Sequence, residues 1–160
     1  MLVVGCGCRG RALATALAAS GHAVRGTTRR ESELAAIEAA GAEAALADPD
    51  RLATLLPLLA GVSVMAWLMG SATGDAESLA ALHGSRLESI AGKLVDSHVR
   101  GLVYEAAGTV APGVLTGGGA VARGVGAANR MPVEVVESDP ATPGPWLEAM
   151  TAAVERVLQA

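Results

Sequence analysis

The chain has 160 residues, 51% of them hydrophobic and 18% charged, with a formal net charge of -4. That balance excludes a disordered chain and fits one domain with a sizeable core, expected over 1–160 with no separate substrate domain. Trp67, Tyr104 and Trp146 are the only aromatics, arginines cluster only at 25–30, and apolar runs stay short of the ~18 residues of a membrane helix. Neither nucleic acid nor membrane is therefore expected as a partner, and a cytoplasmic location is the default.

Met1-Leu2-Val3-Val4 reads as a short strand that runs into Gly5-Cys6-Gly7-Cys8-Arg9-Gly10 and then into a helix former, Arg11–Ala19. Glycines at G-x-G-x-x-G spacing between a strand and a helix predict a dinucleotide-binding turn. Gly5 lets the chain leave the strand, Gly7 lets a pyrophosphate approach the backbone, and Gly10 lets the helix pack closely on the strand. The helix start offers free N–H groups and a positive dipole end to the phosphates. Cys6, Cys8 and Arg9 fill the same turn and belong to the predicted site. The run into Cys6 superficially resembles a lipoprotein processing site, but it has no basic leader and too few apolar residues.

Two thiols at C-x-C spacing, with no adjacent His or acid, do not complete a tetrahedral metal site, so no metal is expected. They read as small residues filling the turn, with a thiol pKa lowered by the helix N-terminus as the alternative. His22, His83 and His98 are widely separated and read as surface or turn residues.

A second strand is predicted at 22–27. Where an NAD-selective site usually places an acid, this chain has Thr27, Thr28, Arg29 and Arg30. Hydroxyls and guanidiniums suit a 2′-phosphate, so NADP(H) is favoured over NAD(H). A helix over 31–40 ends at Gly41, and a weak third strand covers 42–47. Asp48 stands where an acid could bond the adenine amino group or equally cap the next helix, predicted over 51–60 with a kink at Pro57. The apolar run 62–68 is a fourth strand covered on both faces, with Trp67 in the core. The loop after it begins Met69-Gly70-Ser71 and should touch the cofactor's ribose or nicotinamide.

A long helix over 76–97, with a break at Gly84, precedes a fifth strand at 99–104. Glu105 and Thr109 lie in the following loop, where substrate chemistry would occur. A glycine-rich helix is expected from about Gly119, then a strand over 131–136 and a last helix over 146–158. Six β-α repeats with short connections predict an α/β fold: a doubly wound, open parallel sheet of Rossmann type, order 3-2-1-4-5-6, in three layers.

Gly5-x-Gly7-x-x-Gly10 with Gly21-His22-Ala23-Val24-Arg25-Gly26-Thr27-Thr28-Arg29 resembles the atypical, epimerase-like branch of the short-chain dehydrogenase/reductase superfamily. The stretches 46–50, 59–62 and 99–104 are similar to that branch too. The resemblance implies nucleotide binding, and for catalysis a Ser or Thr after the fifth strand with a Tyr-x-x-x-Lys pair on the next helix. This chain departs from that set. Tyr104 is its only tyrosine and lies inside the fifth strand, while Lys93, its only lysine, precedes it. Ala106-Ala107 occupies the serine stretch, which leaves Thr109 as the one hydroxyl. The 160 residues hold no counterpart of the C-terminal extension that builds a sugar-nucleotide pocket in longer relatives.

The resulting expectation is an NADP(H)-binding module without the usual catalysis, with a homodimer admitted. The alternative is a small NADPH-dependent reductase acting on a flavin, quinone or carbonyl, with Thr109, Glu105 or water as the proton source. For Glu105 a solvated acid or a loop hydrogen bond competes with that role. An interaction subunit with a vestigial site is a third reading, against which the intact glycine triplet stands.

Overall fold

A computed structural model describes residues 1–160. Six parallel strands form one sheet: β1 (Leu2–Val4), β2 (Arg25–Thr28), β3 (Glu43–Leu46), β4 (Val64–Trp67), β5 (Gly101–Glu105) and β6 (Val133–Val136). Their order is β3-β2-β1-β4-β5-β6, the doubly wound order in which the chain reverses direction across the sheet beside β1. The helices are α1 (Cys8–Ala19), α2 (Leu34–Ala39), α3 (Ala76–His83), α4 (Ser85–Val95), α5 (Pro112–Asn129) and α6 (Pro143–Gln159). None is long and apolar enough to cross a membrane.

Alternation along each strand divides the core in two. Leu2, Val4, Met65, Trp67, Leu102 and Tyr104 face one layer, with Leu87, Ile90 and Leu94 of α4. Val3, Val64, Ala66 and Val103 face the other, with Leu13 and Leu17 of α1 and Trp146, Met150 and Val154 of α6. Because both faces are covered, the central strands read as unbroken apolar runs, and that is why they are visible in the sequence. Each fully buried Leu contributes about 1.5–3 kcal/mol.

The elements depart from expectation where local signals misled. Residues 51–60 form no α-helix but two 3-10 turns, Leu52–Thr54 and Leu56–Leu59. The Thr54 hydroxyl donates to the Arg51 carbonyl at 2.7 Å and accepts from the Asp48 N–H at 2.8 Å, and Pro57 removes the next helical donor. The long helix breaks at Gly84 into α3 and α4, as expected, and ends at Val95 ahead of the expected 97. α5 begins at Pro112 and not near Gly119, because a proline at the first turn starts a helix well and two of the internal glycines, Gly118 and Gly126, are needed for packing. α6 likewise starts at Pro143, ahead of the expected Trp146.

Candidate functional site

β1 ends against a turn that its own glycines make possible. Gly5 has φ +86, and a Cβ there would meet Met69 Cε at 2.5 Å and the Leu68 carbonyl oxygen at 2.6 Å. A Cβ on Gly10 would lie 2.9 Å from the Gly5 carbonyl oxygen, so α1 sits directly on the end of β1. Gly7 differs: a Cβ there would meet nothing within 4 Å. No side chain caps the N-terminus of α1, so the backbone N–H groups of its first turn are left for an external acceptor.

This turn opens into a cleft of about 410 Å³ at the carboxyl ends of β1, β2 and β4. Of the residues predicted from sequence, Gly5, Cys6, Gly7, Cys8, Arg9, Gly10, Thr28, Arg29, Arg30, Met69 and Ser71 line it. Asp48 and Gly70 do not. The Asp48 carboxylate turns back to accept from the Asp50 N–H at 3.1 Å, and Asp50 stands in the cleft wall in its place. Gly70 is drawn under the loop after β5, where a Cβ would run into the Ala107 carbonyl oxygen. The wall also includes Thr27 and Leu82, which reach the cleft from the end of β2 and the inner side of α3. Thr27 belongs to the stretch Thr27–Arg30 already singled out in the sequence, since strand ends beside a glycine turn face the crevice. Leu82 is far along the chain and carried no such signal.

Charge is unevenly spread in this cleft. Arg30 pairs with Glu33 at 3.4 Å, and its backbone N–H donates to Thr28 Oγ1 at 3.2 Å. Arg29 is exposed and in no ion pair, so its forked donors are open to an anion. Asp50 is held loosely by Arg86 at 3.8 Å.

Glu105 is not a solvated loop acid. It is the last residue of β5, with 0% of its side chain exposed. Oε2 accepts from the Gly70 N–H at 2.9 Å, Oε1 accepts from Trp146 Nε1 at 3.0 Å, and Arg9 Nε lies 3.5 Å from Oε1. Burial raises its pKa above the ordinary carboxylate value, against the pull of Arg9 and the two N–H donors. Thr109 is exposed and outside the cleft, with its backbone N–H 3.3 Å from Ser71 Oγ.

Of the thiols and histidines, only His83 departs from the favoured expectation. Cys6 is 1% exposed, filling the space over Gly26, and burial pushes its thiol up to about 11, so the helix N-terminus does not activate it. Cys8 is exposed in the turn. His83 is no surface residue: it is 1% exposed, with Nδ1 2.7 Å from the Tyr104 hydroxyl and Nε2 3.2 Å from the Met69 carbonyl oxygen. Tyr104 is wholly buried and its pKa is pushed further up by burial, which removes it from proton transfer at the cleft.

A second cavity, about 400 Å³, lies across the loop after β5, between α5 and the end of β6. Thr116, Arg123 and Glu137 supply its polar side, with Arg123 and Glu137 paired at 3.3 Å.

No protein-family model matches this chain, and comparison with curated proteins finds no match. Solved structures do match. The triphenylmethane reductase of Citrobacter sp., complexed with NADP(H), is 17% identical with a TM-score of 0.64, over 86% of this chain and 48% of that one. A short-chain dehydrogenase/reductase superfamily protein from Agrobacterium tumefaciens with bound NAD is 19% identical with a TM-score of 0.68, over 85% and 48%. Vestitone reductase from alfalfa (Medicago sativa) is 15% identical with a TM-score of 0.66, over 85% and 55%. The chain spans about half the length of these proteins. At such identities the likeness establishes the fold, a Rossmann-type α/β sheet.

Proposed function

We propose that the cleft at the carboxyl ends of β1, β2 and β4 binds a nicotinamide dinucleotide, NADP(H) in preference to NAD(H). The observation that carries this reading is the glycine turn itself: open space at Gly7 beside an uncapped helix N-terminus, where a diphosphate can reach backbone N–H groups. Two of the structurally similar proteins are described with NADP(H) and with NAD bound, which supports the cofactor class. The unpaired fork of Arg29 beside Thr28 supports the 2′-phosphate. Asp50 on the same wall works against it, but it stands next to Arg86.

The chain then acts first as a dinucleotide-binding module, because Tyr104 is sealed in the core and Lys93 lies on the exposed side of α4. The bound cofactor would supply hydride chemistry, and the protein its orientation. One observation favours the second reading, a small NADPH-dependent reductase. The cavity beyond the loop after β5 offers room for a substrate next to that loop.

Calorimetric titration with NADPH and NADH in parallel tests the binding. NADPH is expected to bind more tightly, and Arg29→Ala to weaken NADPH about tenfold to a hundredfold while NADH changes little. Equal losses would remove the 2′-phosphate assignment, and no heat with either cofactor would remove the dinucleotide reading. NADPH oxidation over a panel of quinones, flavins and aldehydes then separates module from reductase. Turnover abolished by Gly7→Asp supports the reductase; binding without turnover supports the module.

A further inference from the structure

Arg9 lies on the opposite side of the glycine turn from Arg29. Sheet order places β2, which leads into Thr28–Arg30, on one side of β1, and β4 then β5 on the other. Arg9 reaches toward β5. Its Nε lies 3.5 Å from Glu105 Oε1, and its guanidinium carbon stands 5.9 Å from the centre of the Trp146 ring. The side chain keeps 35% of its surface and lines the cleft, and its single ion pair runs through Nε. Both terminal nitrogens are thus left for a ligand.

Glu105 has an unusual place for a carboxylate. It is fully buried, and it joins three separate elements: the Gly70 N–H after β4, the Trp146 indole N–H on α6 and Arg9 on α1. A buried negative charge beneath a phosphate-binding turn would oppose an anionic ligand if nothing neutralised it. Arg9 neutralises it and is in turn fixed by it. A guanidinium held at one edge and lying over an indole at 5.9 Å loses little freedom when it closes on a second anion.

The geometry points to Glu105 as a positioning residue that holds Arg9 as a forked clamp on the diphosphate of the dinucleotide. This rests on the dinucleotide reading given above. Since the diphosphate is common to both cofactors and Arg9 faces away from Thr28–Arg30, the clamp acts on NADPH and NADH alike.

The test is a double-mutant cycle read by calorimetry with NADPH and NADH. Arg9→Met is expected to lower affinity for both cofactors by the same factor, about tenfold to a hundredfold. Glu105→Gln is expected to lower it about tenfold in the wild-type background and to cause no further loss in the Arg9→Met background, where it removes a charge that nothing neutralises. A purely structural role for Glu105 would weaken binding equally in both backgrounds, and that additivity overturns the inference. Arg9→Lys keeps the charge without the fork, on a partly exposed side chain that tolerates change, so it decides the matter should Glu105→Gln fail to fold. Loss close to that of Arg9→Met supports the clamp, and wild-type affinity overturns it. If the unaltered protein binds neither cofactor, the dinucleotide reading fails and takes the clamp with it. Binding with additive losses sinks the clamp alone.

Discussion

Burial acts on His83 and Glu105 in opposite senses, with opposite consequences for stability. The His83 pKa is lowered from its ordinary 6.5, by loss of solvent against a smaller contrary pull from the Met69 carbonyl. Below 6.5 the unfolded chain therefore takes up a proton that the native state resists, so stability present above 6.5 is lost as pH falls toward the folded value. For Glu105, whose pKa is raised, the native state holds the proton longer. Its contribution is greatest in acid and declines as pH rises from the ordinary 4.5 toward the folded value. The difference between wild-type and His83→Gln melts from pH 7.5 to 5.5 should show the His83 slope, at most about 1.4 kcal/mol per pH unit, free of the opposite Glu105 contribution. His83→Gln should melt lower at every pH and give a flatter profile; an unchanged slope would remove His83 as its source. None of this was legible at residue 83, whose partners Met69 and Tyr104 lie 14 and 21 positions away. The glycine turn was legible because all its parts are local: strand, three glycines and helix lie within nineteen residues.

Among the elements, α5 best separates propensity from packing. Its sequence is poor for a helix, with Gly113, Gly117, Gly118, Gly119, Gly124 and Gly126 inside it. Gly118 is required, since a Cβ there would run into the Tyr104 hydroxyl, and Gly126 meets Val133 Cγ2 at 2.5 Å. Gly117 and Gly124 are exposed, with open space where a Cβ would go. Gly117→Ala and Gly124→Ala should therefore each raise stability by about 0.4–1 kcal/mol. Gly118→Ala should lower it by about 1–3 kcal/mol, through displacement of Tyr104. Denaturant unfolding of the three variants checks both signs, and a stabilising Gly118→Ala would contradict the packing described. α5 persists through its glycines because tertiary contact overrides local preference, whereas the early starts of α5 and α6 are local, set by Pro112 and Pro143 in their first turns. Between β3 and β4 the reverse holds, where Thr54 and Pro57 prevent an α-helix that the leucines alone suggested.

At the scale of the whole molecule, the β-α alternation was enough to order the strands, because short right-handed crossovers leave few arrangements. It also placed the cleft, since ligands of such sheets collect where strand order reverses. What it could not place was the buried support behind Arg9. Glu105, Trp146 and Arg9 come from β5, α6 and α1, and no spacing rule links them.

That meeting has an optical consequence. With no Phe and one Tyr, emission from the folded chain belongs to two indoles, and the two differ in kind. Trp67 is sealed in the core, its ring N–H without a partner. Trp146 is hydrogen-bonded to a carboxylate and overlain by the guanidinium that faces the cleft. The oxidised dinucleotide, which does not absorb where indoles emit, should therefore change the protein's fluorescence through Trp146 alone. Trp67→Phe should keep that response and Trp146→Phe abolish it, so the molecule carries its own gauge of whether the cleft is filled.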